Sequence, residues 1–541
     1  MFPIREGKEL VPLGMILKRS AEETPDQLAL KKEDVELTYG ELDRISSELA
    51  LGLLAKGLRP HERIALIGGN SPQWCLIYFA ILKAGMTVVP IDPLLSLSDI
   101  HHIITDAKAK VVFADPKWYD EIAELKIART VGFEMIDDLR RGEGDLPEVD
   151  LDSLAILIYT SGTTGFSKGV MLSHRNVVNN VDSLYRSIDY DKNDRFLSLL
   201  PLHHTFAATC GLLTAIYNQA QIFFPRSLKS KDIITALRNY QITVLLVVPL
   251  ILEKFVEGFK RKLRHAGVSK RIIFGFCSSI TKLLPQTRGF LFKGVREGLG
   301  MSHIRYIISG GAALPRWVAR QIESLGLPLI QGYGLTEASP VVTVNPPDRP
   351  KNESVGLPIP GVKVRIVDPN PDGVGEIIVQ GENVMEGYYN NDEATREAIK
   401  HGWLYTGDLG YFDDDGYLYI VGRKKYIIVT PGGKNVYPEA IEAKLLQSDY
   451  IKEALVIPER SEGKEEVVAI IYPDFEKLEE NFKDLNRERV EEIIRNEIIK
   501  HGAEIPEYGR IRRFTIRDEE FPKTTTRKIK RHLFLGKRIE V

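Results

Sequence analysis

The apolar positions of the first 150 residues switch between two spacings. Thr38, with Glu41 three residues on, forms a capping box that opens an amphipathic helix expected to run to about Lys56 and stop at Gly57. Short apolar runs follow at residues 64–67, 86–91 and 110–114, separated by amphipathic stretches such as 74–83. Strands that alternate with helices predict a largely parallel sheet with helices on its faces. A second block of the same rhythm runs from 154 to about 334, with strands expected near 155–159, 221–224, 244–248 and 304–308. The longest apolar run, residues 242–252, contains Pro249 and is too short to cross a bilayer. It reads as a buried strand leaving into a loop.

After Pro346 the pattern changes. Val362, Val364 and Ile366 alternate, 375–379 reads as another strand, and Asp415-Gly416 turns between two aromatic strands, so a small antiparallel β unit is expected over about 347–422. Beyond Gly422 come a helix near 439–447, strands at 454–457 and 467–472 and a helix near 487–501, a compact α+β unit. The predicted class is therefore α/β. A large N-terminal domain, 1–422, holds two helix-flanked, mostly parallel sheets and the β unit, and a small α+β C-terminal domain, 423–541, follows a hinge at 423–425.

With 541 residues the chain is too long for one core, which agrees with this division. A hydrophobic content of 43% and a charged content of 27% are those of a globular protein. The net charge of −2 gives no overall field that would favour nucleic acid. Cys75, Cys210 and Cys277 lie far apart in no metal-ligand spacing, which suits a reducing cytosol. The first fourteen residues lack the charged start and apolar run of a signal peptide, so a cytoplasmic protein is expected.

The apolar strand at 155–159 runs into Thr160, Ser161, Gly162, Thr163, Thr164, Gly165, Phe166, Ser167, Lys168 and Gly169. Hydroxyls, glycines and a lysine pack poorly but cradle anions well: glycine lets N–H groups turn inward, hydroxyls add donors and Lys168 supplies charge. The Walker spacing fails, because Ser167 stands where Gly is required and Gly169 follows the lysine; the Rossmann spacing fails as well. A polyphosphate site remains, of neither the P-loop kinase nor the dehydrogenase kind.

This loop resembles the signature loop of the AMP-forming acyl-CoA synthetase, luciferase and peptide-synthetase adenylation family, in which it wraps the β- and γ-phosphates of ATP. Ser167 departs from the usual proline. Further motifs follow in the family's order over nearly the whole chain. Ser309, Gly310, Gly311, Ala312 and Ala313 form one segment, with Gly311 and Ala312 at ATP. Gln331, Gly332, Tyr333, Gly334, Leu335, Thr336 and Glu337 resemble the adenine and metal motif. The resemblance implies that Tyr333 stacks on adenine, Thr336 donates to the α-phosphate, and Glu337 holds Mg²⁺ together with Thr164. Asp408 in Tyr405-Thr406-Gly407-Asp408 resembles the ribose carboxylate, and Arg423 the arginine that reaches ribose or phosphates. Lys425 takes the hinge position. Gly432, Gly433 and Lys434 belong to the loop that lines the path of coenzyme A, and Lys528 matches the lysine that bridges carboxylate and α-phosphate during adenylation. Arg527 replaces the usual glycine before it, as in the long-chain fatty-acid branch.

Peptide-synthetase domains for amino acids usually carry an aspartate matching the segment Pro201 to Phe206; none is present, and a buried ammonium without a partner would be costly. His204 resembles the family histidine at the carboxylate end of the acid pocket, and His203 reads as its packed or solvated neighbour. Small residues at Ala207, Ala208, Cys210 and Gly211, on what reads as the next helix, leave room for an acyl tunnel or for ordinary helix contacts. The insert 253–300 resembles that of long-chain ligases. Between Lys254 and Arg296 it holds eleven Lys/Arg against Glu257 alone, interleaved with phenylalanines. That suits peripheral docking on anionic lipid, and equally a basic face near CoA or a solvated surface.

The resemblance thus implies a long-chain fatty-acid–CoA ligase acting through acyl-AMP, with Mg²⁺ as cofactor and ATP and CoA as co-substrates. The alternatives are an acyl-AMP or acyl-carrier-protein ligase and an aryl or medium-chain CoA ligase. A homodimer is compatible with the resemblance alone.

Overall fold

The computed structural model describes residues 3–140, 144–160, 167–265, 291–430, 434–461, 464–503, 505–523 and 529–535. The chain forms two compact units, one of Met1–Leu314, Val318–Val364 and Val379–Tyr405, the other of Pro315–Trp317, Arg365–Ile378 and Thr406–Val541.

The first unit holds two sheets. In the nine-stranded one, Leu28–Lys32, Gln221–Phe223, Arg195–Leu197, Val244–Val247, Tyr306–Ser309 and Leu329–Gly334 run parallel in that spatial order. Antiparallel strands close it at both ends, Val35–Thr38 at one and Val341–Val344 with Leu357–Pro358 at the other. In the seven-stranded sheet, Leu154–Thr160, Thr87–Ile91, Arg63–Ile67, Val111–Ala114 and Arg129–Gly132 are parallel, and Lys168–Ser173 and Gly387–Tyr388 add antiparallel strands beyond Leu154–Thr160.

The local signals explain the helices. The Thr38/Glu41 capping box is formed at the start of Tyr39–Ala55, and the chain leaves through Gly57 at φ 87°. Ser71 caps Pro72–Lys83, with Pro72 in the first turn, where a missing N–H costs nothing. This helix is apolar all round and buried at every residue but Gln73, as a helix without a polar face must be. Its one charge, Lys83, is buried against Asp43 at 2.6 Å and Ser47 at 2.9 Å. Losing Asp43 would leave that ammonium unpaired, at a cost of roughly 3–5 kcal/mol.

One expectation is corrected here. The apolar run 242–252 does not end in a loop: strand Val244–Val247 passes directly into helix Pro249–Arg264, with Pro249 in the first turn. Proline signals a helix start as readily as a break, and only the chain after it distinguishes the two. Of the basic insert, residues 266–290 lie outside the described residues.

The second unit contains the antiparallel pair Trp403–Phe412 and Leu418–Arg423 from Thr406 onward, with Tyr411 stacked on Tyr419 at 5.1 Å and Gly416 at φ 81° in the turn. Its C-terminal part pairs Ile451–Ser461 with Lys464–Pro473 antiparallel and adds Arg513–Ile516 parallel to the latter. Helices Pro438–Leu445 and Arg487–Gly502 cover this sheet, burying Ile441, Leu445, Val490 and Ile494 against Val456, Ala469 and Ile471. Among the described residues no helix is long and apolar enough to cross a membrane.

Candidate active site

In open α/β sheets ligands sit beyond the carboxyl ends of parallel strands, and the motif residues of the first unit lie there. Ser309 ends Tyr306–Ser309, and Gly310 and Gly311 follow, the latter at φ 82°. Ser309 Oγ is buried with no hydrogen-bond partner among the described residues, a donor left over for a ligand. In the other sheet Leu154–Thr160 leads into the expected phosphate loop. Thr160 is paired across the sheet with Lys168, so both ends of the loop are fixed. Ser161, Gly162, Thr163, Thr164 and Gly165 lie outside the described residues.

The strand Leu329–Gly334 changes partner midway. Leu329 to Gln331 pair parallel with Tyr306–Ser309, and Gly332 to Gly334 pair antiparallel with Val341–Val344. Glycine is required at Gly334 by close approach: a Cβ there would stand 1.9 Å from the carbonyl oxygen of Pro340. Gln331 is buried and its amide donates to the Asn352 carbonyl, so this side chain holds the strand in place. Thr336 and Glu337 then sit in a tight turn, Thr336–Ala338, that the buried Asn383 secures by donating to the Ala338 carbonyl at 2.9 Å.

Tyr388, absent from the sequence reading, joins two of the expected residues. Its hydroxyl donates to Glu337 Oε1 at 2.9 Å, and Lys168 Nζ lies 5.2 Å from its ring centroid. Burial and the neighbouring Glu337 carboxylate raise the phenol far above its usual range, so it stays a donor. Glu337 thereby has one oxygen oriented, and its hard carboxylate fits a magnesium ion. Tyr388 comes from a strand paired with Lys168–Ser173, with Tyr388 opposite Val170. No local pattern around position 388 announces that neighbour.

The segment after Arg195–Leu197 carries His203 and His204 and then enters a π-helix, Phe206–Leu213, rather than a regular helix. Such π turns concentrate at functional sites. Phe206 packs on Gly310, where a Cβ would meet the ring at 3.1 Å, which brings the histidine segment to the glycine segment. Below lies an apolar cavity whose walls include Phe196, Leu200, Leu202, Ala207, Gly211 and Phe224; its one polar lining side chain is Ser198. The small residues at 207 and 211 line this cavity, whereas Ala208 and Cys210 are buried and lie outside its lining.

His203 is buried, with Nε2 3.4 Å from Asp92 Oδ1 and its ring 4.4 Å from that of His204. It is thus packed, as one of the two expected alternatives had it, and faces a carboxylate the sequence did not point to. Burial, and then His203, push the His204 imidazole down to about 4. Burial likewise pushes His174, whose Nδ1 accepts from Leu13 N–H at 3.1 Å, down to about 4. Both are neutral when folded, whereas the unfolded chain takes up these protons near 6.5. The unfolded state therefore binds more protons between those values, and stability is lost as pH falls through that window. Melting temperature should rise from pH 4 to 6.5, and His174→Gln should flatten that slope. An unchanged slope in the variant would contradict this account.

The remaining expected residues belong to the second unit. Asp408 is buried, lies opposite Arg423 in the strand pair, and accepts from Arg423 Nε at 2.9 Å. Its backbone N–H donates to Thr406 Oγ1 at 3.0 Å. Lys425 is held below the usual lysine range by burial first and by Arg423 second, and lies 4.8 Å from the Tyr426 ring. Lys434 is exposed at the mouth of the small hairpin Ile428–Val429 with Asn435–Val436. Gly432, Gly433 and Lys528 lie outside the described residues, but the base of the segment carrying Lys528 is fixed. Lys523 bridges to Ile529, Lys530 N–H donates to the Pro522 carbonyl at 2.9 Å, and Arg531 pairs with the buried Glu442 while donating to the Val456 carbonyl at 3.0 Å.

A family model described as AMP-binding enzyme matches residues 17–389, and one described as AMP-binding enzyme C-terminal domain matches 425–537. The chain is 31% identical to a feruloyl-CoA synthase of Amycolatopsis sp. over 444 residues, covering 80% of this chain and 82% of that protein. It is also 31% identical to the long-chain fatty-acid–CoA ligase FadD15 of Mycobacterium bovis over 468 residues, 80% of this chain and 76% of the relative. Among solved structures, ATP-bound MatB from Rhodopseudomonas palustris superposes with a TM-score of 0.78 at 26% identity, covering 97% of this chain and 98% of that one.

Proposed function

The chain belongs to the AMP-binding enzyme family, and from that premise we propose that it is a fatty-acid–CoA ligase for long-chain acids. The AMP-forming acid–CoA ligase class is common to its relatives; the choice of acid is our reading. The observation that carries it is the apolar, uncharged wall around the small cavity beside the His203-His204 segment; the enclosed space is about that of one water, so a long tail enters only as this wall opens. An acid with an alkyl tail gains about 0.8 kcal/mol for each buried methylene in such a space. Phe196 and Phe224 in the wall, with the feruloyl-CoA synthase relatives, make an aromatic acid the second reading.

In the first half-reaction the fatty carboxylate attacks the α-phosphorus of ATP. A P–O bond to the acid forms, the bond to the β-phosphate oxygen breaks, and pyrophosphate leaves. Neutral His204 stands at the acid end, Thr336 donates to the α-phosphate, Asp408 accepts from the ribose hydroxyls, and Lys168 with the loop takes the outer phosphates. Glu337 and Thr164 would hold magnesium, which supplies positive charge to the phosphates. Lys528 stabilises the charge that builds at phosphorus. In the second half-reaction the C-terminal domain, 423–541, turns about Lys425, and coenzyme A thiol attacks the acyl carbon. AMP leaves and the thiol proton passes to solvent.

The deciding experiment is AMP release over acids from acetate to oleate, with ferulate included, with and without coenzyme A. Highest kcat/KM for a long saturated or monounsaturated acid, dependent on coenzyme A, supports the proposal; preference for ferulate or acetate overturns it. Tyr388→Phe removes the donor to Glu337 without changing shape. The Mg²⁺ concentration for half-maximal AMP release should rise about 10-fold, the low end for losing a group that orients a metal ligand. A lower rate at every Mg²⁺ concentration, with the half-maximal point unmoved, would refute that role.

A further inference from the structure

Asp92, His203 and His204 lie outside the magnesium and phosphate machinery, yet each brings one ligand atom within 4.8 Å of the others. Asp92 follows strand Thr87–Ile91 of the seven-stranded sheet; the histidines follow Arg195–Leu197 of the nine-stranded sheet. Two separate strand ends thus converge on one point inside the first unit. Asp92 is 8% exposed and His203 5%.

The contact between them is a poor hydrogen bond. Charge-assisted N–H···O bonds are about 2.7–2.9 Å long, whereas His203 Nε2 is 3.4 Å from Asp92 Oδ1, and it finds no well-directed hydrogen-bond partner among the described residues. That separation matches a different arrangement. Two ligands on a tetrahedral ion with bonds of 2.0–2.1 Å stand about 3.3–3.4 Å apart. Asp92 Oδ1 is itself oriented, accepting from Leu94 N–H at 2.8 Å, as carboxylates that bind metals usually are. The His203 and His204 rings are tilted by 53° at a centroid distance of 4.4 Å, so they do not close over one another as a parallel stack.

We propose that Asp92, His203 and His204 form a site for a divalent transition ion of the zinc type. Two imidazoles and one carboxylate match the softness of Zn²⁺, Co²⁺ or Ni²⁺, and are too few and too nitrogen-rich for Mg²⁺. Three protein ligands leave a fourth position open, as in catalytic rather than structural zinc sites. Occupancy withdraws His204 from the acid end of the cavity, so the ion inhibits acyl-AMP formation; this consequence, unlike the site itself, rests on the function proposed above.

The test uses the full chain, freed of metal with a chelator and titrated with Co²⁺ in the absence of ATP and acid. The expected result is one equivalent of Co²⁺ with the intense visible absorption of tetrahedral coordination. Binding should weaken by more than about 100-fold in both Asp92→Asn and His203→Gln, beyond the 10–100-fold typical of losing only a ligand's supporting group. Absence of the tetrahedral band, or equal affinity in wild type and both variants, which means an adventitious ion only, overturns the proposal. In the same preparations Zn²⁺ should suppress acid-dependent AMP release in the wild type more than in His203→Gln, each relative to its metal-free rate; equal suppression overturns the inhibitory role. Because the cobalt spectrum needs no turnover, it decides the site even if the assignment of the acid is wrong.

Discussion

Lys528→Ala should lower acid-dependent ATP–pyrophosphate exchange by about 10²–10³, the scale of removing one preorganised group that stabilises transition-state charge. Thioester formation from supplied acyl-AMP should survive. The asymmetry follows from charge. Acyl-AMP formation brings a carboxylate against a phosphate and builds further negative charge at phosphorus, and a cation delivered there is worth most in that step. Thiol attack on the finished mixed anhydride releases AMP, already an anion, and needs room more than charge. The described residues on either side of the segment that carries Lys528 are held in place. The segment is pinched at its base by the Lys523–Ile529 bridge and fastened by Arg531 to Glu442 and the Val456 carbonyl. The lysine therefore travels with the C-terminal domain if that domain turns. Measuring the two half-reactions separately checks this, and an equal fall in both would contradict the separate role of Lys528.

Gly334→Ala should cost about 3 kcal/mol or more of stability, at the upper end for overpacking, because the added carbon meets backbone that cannot give way even though Gly334 itself is exposed. A Cβ at 334 would meet Pro340 O at 1.9 Å, Pro340 C at 2.8 Å and Val341 Cα at 3.0 Å, all backbone atoms of the facing chain. The same Pro340 carbonyl accepts from Leu335 N–H at 2.9 Å, so relief by moving it breaks a hydrogen bond at the start of the Thr336–Ala338 turn. Gly332 offers a milder comparison, since its Cβ would meet Thr343 O at 3.0 Å. Denaturant midpoints of the two variants against wild type should therefore fall in the order Gly334→Ala, then Gly332→Ala. Should Gly334→Ala melt as the wild type does while losing ATP, the glycine serves ligand approach and the packing argument fails.

These cases show where legibility along the chain begins and ends. The Thr38/Glu41 capping box, the Asp415-Gly416 turn and the parallel strand rhythm all appear in the fold as expected, because capping, turn chemistry and periodicity are decided within a few residues. Composition marked out the candidate phosphate loop, and resemblance the candidate residues Glu337, Asp408 and Lys528. Pro249 was misread because a proline permits a strand exit and a helix start equally. The hairpin of Leu28–Lys32 with Val35–Thr38 went unnoticed because its strands are short and partly exposed.

By itself the amino-acid sequence determined the fold class and most of the elements, and it nominated the candidate residues for a polyphosphate site, since each depends on local backbone preference or on side-chain chemistry. Tertiary structure alone decided which residues meet. Tyr388 reaches Glu337 across 51 residues, and Asp92 faces His203 from another sheet. It also decided that the residues after His204 take a π-helix over an apolar cavity. Such neighbours are set by strand order and by the packing of two sheets, which arise from the whole chain burying its apolar surface and leave no periodic trace at the positions they bring together.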